Sequence, residues 1–317
     1  MIKNLKKILT AAFIVLIFFS LWYKNGFGGK TYESTEFLFD TLCRISASGK
    51  NSEAAAKAAF EKIEEINALT DFYSQDSEVS KFNAAKSGEK VKISAETAEI
   101  LDKMLEISRE TEGAFDPTVA PLSELWNFKE AKEPPEEEAV LKALEKVDYR
   151  KISLDKKNLT AEKSEDGIKI DLGASAKGYA CDKAAEILRE YNVSGIIDLG
   201  GNIGCVGKNP KEADGRYTVG LQTPFEPSGT YEKTVEVSEK AVVTCGVYQR
   251  FFEYKGKKYH HILDLKTGFP KEADYNAVTV VSSSSMEADC LSTACFVLGR
   301  EKGRALAEKH GAEIYFY

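Results

Sequence analysis

Paired cysteines are the first thing this chain lacks. Its six cysteines (Cys43, Cys181, Cys205, Cys245, Cys290 and Cys295) include no Cys-x-x-Cys pair, and 317 residues is too long for a small disulfide scaffold. A zinc knuckle and a stapled secreted module are therefore unsupported. Cys290 and Cys295 fall in an apolar helical run and are expected to pack as small hydrophobes. No Walker A spacing marks the lysine-bearing turn near residue 177. Gly200, Gly201 and Gly204 do not match Gly-x-Gly-x-x-Gly, and no helical pattern follows them, which leaves a dinucleotide Rossmann site without support. A basic surplus is missing too. The net charge is −7, and residues 1–30 hold five lysines and no acid, so the remainder stands at −12. Such a body is a poor partner for nucleic acid, whose phosphates need clustered Lys and Arg. No long internal repeat is present.

Residues 1–23 combine a basic start with a nearly unbroken apolar run from Ile8 to Tyr23. At about 16 residues the run is short for a span and long for a signal-peptide core. No small-x-small cleavage site follows, and Cys43 lies too far on to carry a lipid. The segment is expected to be an uncleaved signal anchor at the cell membrane, lysines inside and body outside. Residues 24–36 then resemble a linker, and 37–317 a single body without interruption.

The chain is organised around Asp171-Leu-Gly-Ala-Ser-Ala-Lys-Gly-Tyr-Ala-Cys-Asp182. An apolar run, Gly167 to Leu172, feeds a small-residue turn, and a helical pattern follows to about Leu188. Small residues let a ligand approach the backbone. A helix N-terminus offers unpaired N–H groups and a positive dipole end, which suits phosphate. Lys177 adds a cation and Asp171 a carboxylate. An ordinary strand–turn–helix connection would look the same from this stretch alone.

Around it the pattern predicts a strand over 37–46, a helix from Asn51 to about Leu69, and a polar loop, 71–83, where Tyr73 can stack on a flat ligand or simply lie half-buried. Ser94 caps a helix that Gly113 stops. Gly113-Ala-Phe-Asp-Pro-Thr-Val-Ala-Pro-Leu makes a rigid loop in which Asp116 is either aimed at a site or caps the Pro117 turn. An acidic insertion (129–138) and a short helix (138–147) follow. A hairpin is expected from 152–160 and 167–171, then within 194–204 a buried strand meeting a glycine-rich turn, and strands at 217–222 and 234–244. A hairpin about Lys255-Gly256-Lys257 delivers His260-His261-Ile-Leu-Asp264. Alternation sends the two histidines to opposite faces, one solvated and one able to face a site. A strand at 276–281 leads into a helix from Met286 to Leu298, where Asp289 and Thr293 stand one turn apart on one face. An acid and a hydroxyl on a mostly apolar helix need a partner. A hard cation with oxygen ligands would supply it, or a local hydrogen bond between the two. A last helix (300–310) and strand (313–317) close an α/β body with mixed sheets and flanking helices.

Seven segments standing in order resemble the FAD:protein FMN transferase family, also called the ApbE family, over about residues 37–312. They are Tyr-Ser-Gln-Asp-Ser-Glu-Val-Ser-Lys-Phe-Asn, then Gly-Ala-Phe-Asp-Pro-Thr-Val-Ala-Pro-Leu with Leu-Trp-Asn-Phe, then the lysine-bearing stretch. Asp-Leu-Gly-Gly-Asn-Ile, Thr-Cys-Gly-Val-Tyr-Gln-Arg, His-His-Ile-Leu-Asp with Thr-Gly, and Ala-Asp-Cys-Leu-Ser-Thr-Ala complete the set. The resemblance implies transfer of FMN from FAD to a Ser or Thr hydroxyl of a flavoprotein, such as a membrane redox-complex subunit, with release of AMP. It places Mg²⁺ or Mn²⁺ on the Ala174 carbonyl, Asp289 and Thr293. FAD would lie against Tyr73, Ala114, Phe115, Asp116, Asp171, Lys177 and the His261–Leu263 stretch. His261 would help deprotonate the acceptor, with Asp264 able to share or replace it. Three departures stand out: Leu265 for a usual Pro, which would loosen that turn, Ala174 for a common Gly, and Cys245 for a usual Ser. An FAD pyrophosphatase and a non-enzymatic flavin binder are the competing readings.

Overall fold

The computed structural model describes residues 31–317. The expected anchor, and the part of the linker before residue 31, lie outside them. Among the described residues no helix is long and apolar enough to cross a membrane.

A seven-stranded sheet forms the centre. Its strands run in the spatial order Thr31–Leu38, Thr41–Ser48, Ser194–Leu199, Asn202–Val206, Ala241–Gly246, Ala277–Ser282 and Glu313–Phe316. Alternation along each strand divides the residues between two layers. Ala47, Ile197, Val243 and Val280 face a main core made with the helices. Their neighbours Ile196, Val242 and Val281 face the opposite side, where the hairpin Tyr217–Gln222/Tyr231–Val237 packs with Tyr217, Val219 and Leu221. The helix layer is built from Ser52–Thr70, Ala95–Glu110, Ala176–Glu190 and Ser285–Leu298, followed by Arg300–Lys309. A satellite core of Leu122, Trp126, Val140, Phe252 and Leu263 joins the helices Ala120–Trp126 and Glu137–Leu144 to the hairpin Phe251–Tyr254/Lys257–His260. Trp126 Nε1 donates at 2.8 Å to the Gly268 carbonyl, in the turn between Leu263–Asp264 and Phe269–Pro270.

Several expectations change. The sheets are not mixed: every pairing among the described residues is antiparallel. Residues 31–36, assigned to a linker, belong to the first strand, and 37–46 is a hairpin rather than one strand. Its turn uses Phe39 and Asp40 at φ +52° and +59°, positions that Asn or Gly ordinarily announce. The strand expected over 234–244 breaks at Glu239, also at positive φ, into Tyr231–Val237 and Ala241–Gly246. The hairpin after residue 151 pairs Ile152–Asp155 with Thr160–Lys163. Residues 168–171 run outside any sheet, with the Asp171 amide bound to the Pro117 carbonyl at 2.8 Å. Ser94 does cap its helix through the Thr97 amide, and all six cysteines are buried free thiols.

His310, at the end of the last helix, bridges two other helices. Its Nε2 lies 2.7 Å from Glu110 Oε2 and its Nδ1 2.9 Å from Glu287 Oε1. Burial alone would lower its pKa, but the two carboxylates outweigh burial and raise it. A raised histidine pKa stabilises the fold below the unfolded value, and that contribution is lost as pH rises through the folded value. The denaturation midpoint is expected to fall between about pH 6 and pH 8 by more than in His310→Gln, which lacks this titration. Parallel curves for the two proteins would contradict the bridge.

Candidate functional site

The lysine-bearing turn is shaped by its own side chains. Asp171 Oδ1 accepts the Gly173 amide at 2.8 Å, an Asx turn. The Ser175 and Ala176 amides both reach the Leu172 carbonyl. Helix Ala176–Glu190 then starts with Ala, Lys and Gly, and this smallness has a structural reason. A Cβ on Gly178 would stand 2.4 Å from the Ser285 carbonyl oxygen and 2.7 Å from Met286 Cα. The two helices thus meet backbone to backbone. Asp182, one turn on, fixes the contact by capping helix Ser285–Leu298. Its carboxylate accepts from Ser284 Oγ at 2.7 Å, the Ser285 amide at 2.7 Å and the Met286 amide at 3.0 Å.

This docking sets the position of Asp289, which is only 5% exposed. Its Oδ2 accepts the Gly178 amide at 3.0 Å, and Lys177 Nζ lies 3.8 Å from the same oxygen while donating to the Gly173 carbonyl at 2.9 Å. The expectation of a helix N-terminus rich in free amides is therefore modified. Three of those N–H groups are engaged, and the positive charge available to a ligand is chiefly that of Lys177. Asp289 Oδ1, by contrast, takes no hydrogen bond from a described residue.

Thr293 is half-buried one turn along. Its hydroxyl makes only a long contact, 3.6 Å, to Cys245 Sγ on strand Ala241–Gly246. Burial pushes the Cys245 thiol up to about 12, so it stays protonated. The local alternative, a hydrogen bond between Asp289 and Thr293, does not form. The donors on this helix are a carboxylate oxygen without a partner and a hydroxyl with free lone pairs; Ala174 stands half-buried in the lysine-bearing turn. Oxygen donors of this kind fit Mg²⁺ or Mn²⁺. Among the described residues no group of three His, Cys, Asp or Glu side chains is placed to hold a metal ion, so ligand oxygens or waters would complete the shell.

Only His260 belongs to the strand Lys257–His260; His261 lies just beyond it, and the two rings have different partners. His260 is not the solvated member. It packs edge-on against Phe296, with Nε2 3.0 Å from the Lys271 carbonyl and Nδ1 accepting the Ile262 amide at 3.3 Å. His261 is half-buried, with Nδ1 3.2 Å from the Arg250 carbonyl. A carbonyl only accepts, so Nδ1 carries the proton and Nε2 keeps its lone pair. Burial first, and then the charge of Arg250, hold the His261 pKa below its usual value. Lys177 lies within electrostatic reach of the same ring.

The other sequence-derived candidates fare differently. Asp116 is a cap: its oxygens accept from the Thr118 amide, the Thr118 hydroxyl and the Tyr149 amide at 2.6 to 2.8 Å. The bond from the Asp171 amide to the Pro117 carbonyl still sets the Ala114–Asp116 segment against the lysine-bearing turn. Phe115 and Leu263 are buried in the main and satellite cores, so each offers a ligand its backbone rather than its side chain. Tyr73 is 68% exposed, with Lys129 Nζ 4.5 Å above its ring. Asp264 is committed to Lys271 at 2.9 Å. Burial opposes ionisation, but Lys271 and the Lys266 amide outweigh it and hold the Asp264 pKa below its usual value. The turn after it is not loosened by Leu265, since the Asp264 carbonyl accepts the Thr267 and Gly268 amides. Gly178 and Asp182 went unassigned from sequence. The signal for Asp182 was available: an acid on a mostly buried helix, as at Asp289.

The ApbE family model matches residues 39–316. A Treponema pallidum protein named FAD:protein FMN transferase is 33% identical over 299 residues, covering 87% of this chain and 81% of its own. A Haemophilus influenzae protein of the same name is 33% identical, covering 83% and 79%. Among solved structures, the Thermotoga maritima ApbE protein superposes with TM-score 0.82 at 32% identity, over 90% of this chain and 94% of its own. The Vibrio cholerae flavin transferase ApbE gives 0.77 at 26%, over 90% and 93%. The chain belongs to the ApbE family.

Gly178→Ala forces the two helices apart at a backbone contact. It is expected to cost about 1–3 kcal/mol, as overpacking does, and to lower Tm by several degrees. An unchanged Tm would mean that the helices are not in contact there.

Proposed function

We propose that this ApbE-family chain transfers FMN from FAD to a Ser or Thr hydroxyl of an acceptor flavoprotein, depends on Mg²⁺ or Mn²⁺, and works outside the cytoplasmic membrane on an N-terminal anchor. The observation that carries the chemistry is Asp289, fixed by the Gly178 amide with one carboxylate oxygen free and Lys177 Nζ 3.8 Å away. A cation and a metal-ready carboxylate beside a small-residue turn suit a diphosphate. The names of the relatives supply the reaction. The anchor rests on the lysine-flanked apolar run of residues 1–23.

Phosphoryl transfer needs alignment and charge neutralisation more than a covalent nucleophile. The acceptor oxygen bonds to the FMN phosphorus as the bond to the AMP phosphate breaks. The hydroxyl proton goes to Nε2 of His261, and AMP leaves with the bonding pair. Lys177 offsets the charge that develops on the departing phosphate. A divalent ion on Asp289, Thr293 and the Ala174 carbonyl would supply further charge neutralisation on the diphosphate. The turn at Asp171–Ser175 keeps side chains out of the way of the phosphates, and Tyr73 offers a face for a flat ring.

A neutral His261 is ready to accept a proton well into the acidic range. The acid limb of the transfer rate is therefore expected below the ordinary histidine value of about 6.5. A limb at or above that value would place the proton acceptor elsewhere.

A denaturing gel viewed under ultraviolet light tests the reaction, using the chain, FAD, Mg²⁺ and an unflavinylated acceptor. A fluorescent acceptor band is expected, reduced by at least about 100-fold in Asp289→Ala while folding is kept. Free FMN without a band would mean hydrolysis, and unchanged FAD would mean binding alone. Full transfer by Asp289→Ala would remove the carboxylate from the mechanism.

A further inference from the structure

Beside His261 the surface carries an aromatic patch that no step above uses. Phe225 and Phe251 are 43% and 37% exposed, unusually open for phenylalanine. Their rings meet edge to face at 5.8 Å, and Phe225 also meets Tyr248 at 6.2 Å. Lys258 Nζ lies 3.8 Å from the Phe225 ring centroid and 5.4 Å from that of Phe251. The patch is continuous with the candidate site. Phe251 pairs with His260, and the carbonyl of the adjoining Arg250 is the partner of both His261 Nδ1 and the His261 amide.

Two features separate this patch from scattered surface apolar residues. The first is strain. Phe225 has φ +65°, a conformation costly for a bulky side chain. Its loop is over-determined by Gln222. Gln222 Nε2 donates to the carbonyls of Thr223, Glu226 and Pro227 at 3.0 to 3.3 Å, and its Oε1 accepts the Gly229 amide at 2.8 Å. The chain thus holds a phenylalanine outward in a conformation that a glycine would adopt freely. The second is charge. In a protein of net charge −7, neither Arg250 nor Lys258 makes an ion pair among the described residues, although Glu253 stands across the hairpin from Lys258, and both cations are exposed.

We infer that Phe225, Phe251, Lys258 and Arg250 form the docking surface for the acceptor polypeptide. A segment with an apolar side chain lies on the two rings, and an acidic residue faces the two cations, which brings the acceptor Ser or Thr to His261. This rests on the transferase reading given above. Charge complementarity and continuity with His261 select a polypeptide carrying a carboxylate. A nucleotide on the same rings is the alternative outcome.

The test uses the full chain, saturating FAD, and the natural acceptor of the Vibrio cholerae relative produced without its flavin. Phe225→Gly and Lys258→Glu are each expected to raise the acceptor KM by about tenfold or more while kcat stays within about twofold. FAD affinity, read from flavin fluorescence, is expected to be unchanged. Phe225→Gly relieves the positive φ, so its Tm is expected to equal or exceed that of the parent. A structural role for the ring would lower it. An unchanged acceptor KM overturns the inference, as does an FAD affinity that weakens in step with it. Absence of transfer by the parent protein would instead overturn the transferase reading, before any variant is compared.

Discussion

The close approach of two helices at Gly178 is the constraint on which the rest depends. Without a side chain there, the amide of one helix reaches a carboxylate on the other, and the buried charge of Asp289 gains a donor in a place water hardly enters. A buried carboxylate with no such partner would carry a cost of several kcal/mol. With one oxygen satisfied and the other open, the acid is both tolerated and available. Asp182 performs the converse task, giving the second helix a capping carboxylate from the first. The two acids lock the helices in register, and that register sets Lys177 3.8 Å from Asp289, one helical turn from Thr293.

The antiparallel sheet serves this pairing as a floor. Strand Ala241–Gly246 supplies Cys245 beneath Thr293, and the hairpin after it supplies the histidines from the rim. Rigid elements hold the groups that neutralise charge. The groups that meet a second protein, Phe225 and Arg250 among them, sit on loops and hairpin edges, where a surface can vary without disturbing the packed site.

What was legible in the sequence followed from strong local chemistry. The Ser94 cap, the strand Tyr217–Gln222 and the helix carrying Asp289 and Thr293 each announce themselves through a capping residue, strict alternation, or polar residues isolated on an apolar surface. The breaks at Phe39-Asp40 and at Glu239 were not legible. Their turns place ordinary residues at positive φ, so no Gly or Asn marks them. Segment 168–171 has the composition of a strand, yet its partners are the Pro117 carbonyl of a 3-10 turn and the Asn83 side chain rather than a sheet. The ion pair of Asp264 was equally hidden, since only the fold brings Lys271 to it. Small residues in this stretch suggest room for a ligand, whereas the smallness of Gly178 is spent on a neighbouring helix.

The central claim is that the free oxygen of Asp289 helps hold a divalent ion at a flavin dinucleotide. Electron paramagnetic resonance of Mn²⁺ titrated into the protein with FAD present tests it most directly, because bound Mn²⁺ loses its sharp free-ion signal whether or not any acceptor is modified. The account predicts loss of signal corresponding to one ion per chain, dependent on FAD, and abolished in Asp289→Asn. Binding that survives in Asp289→Asn, or no binding by the parent protein, would contradict it.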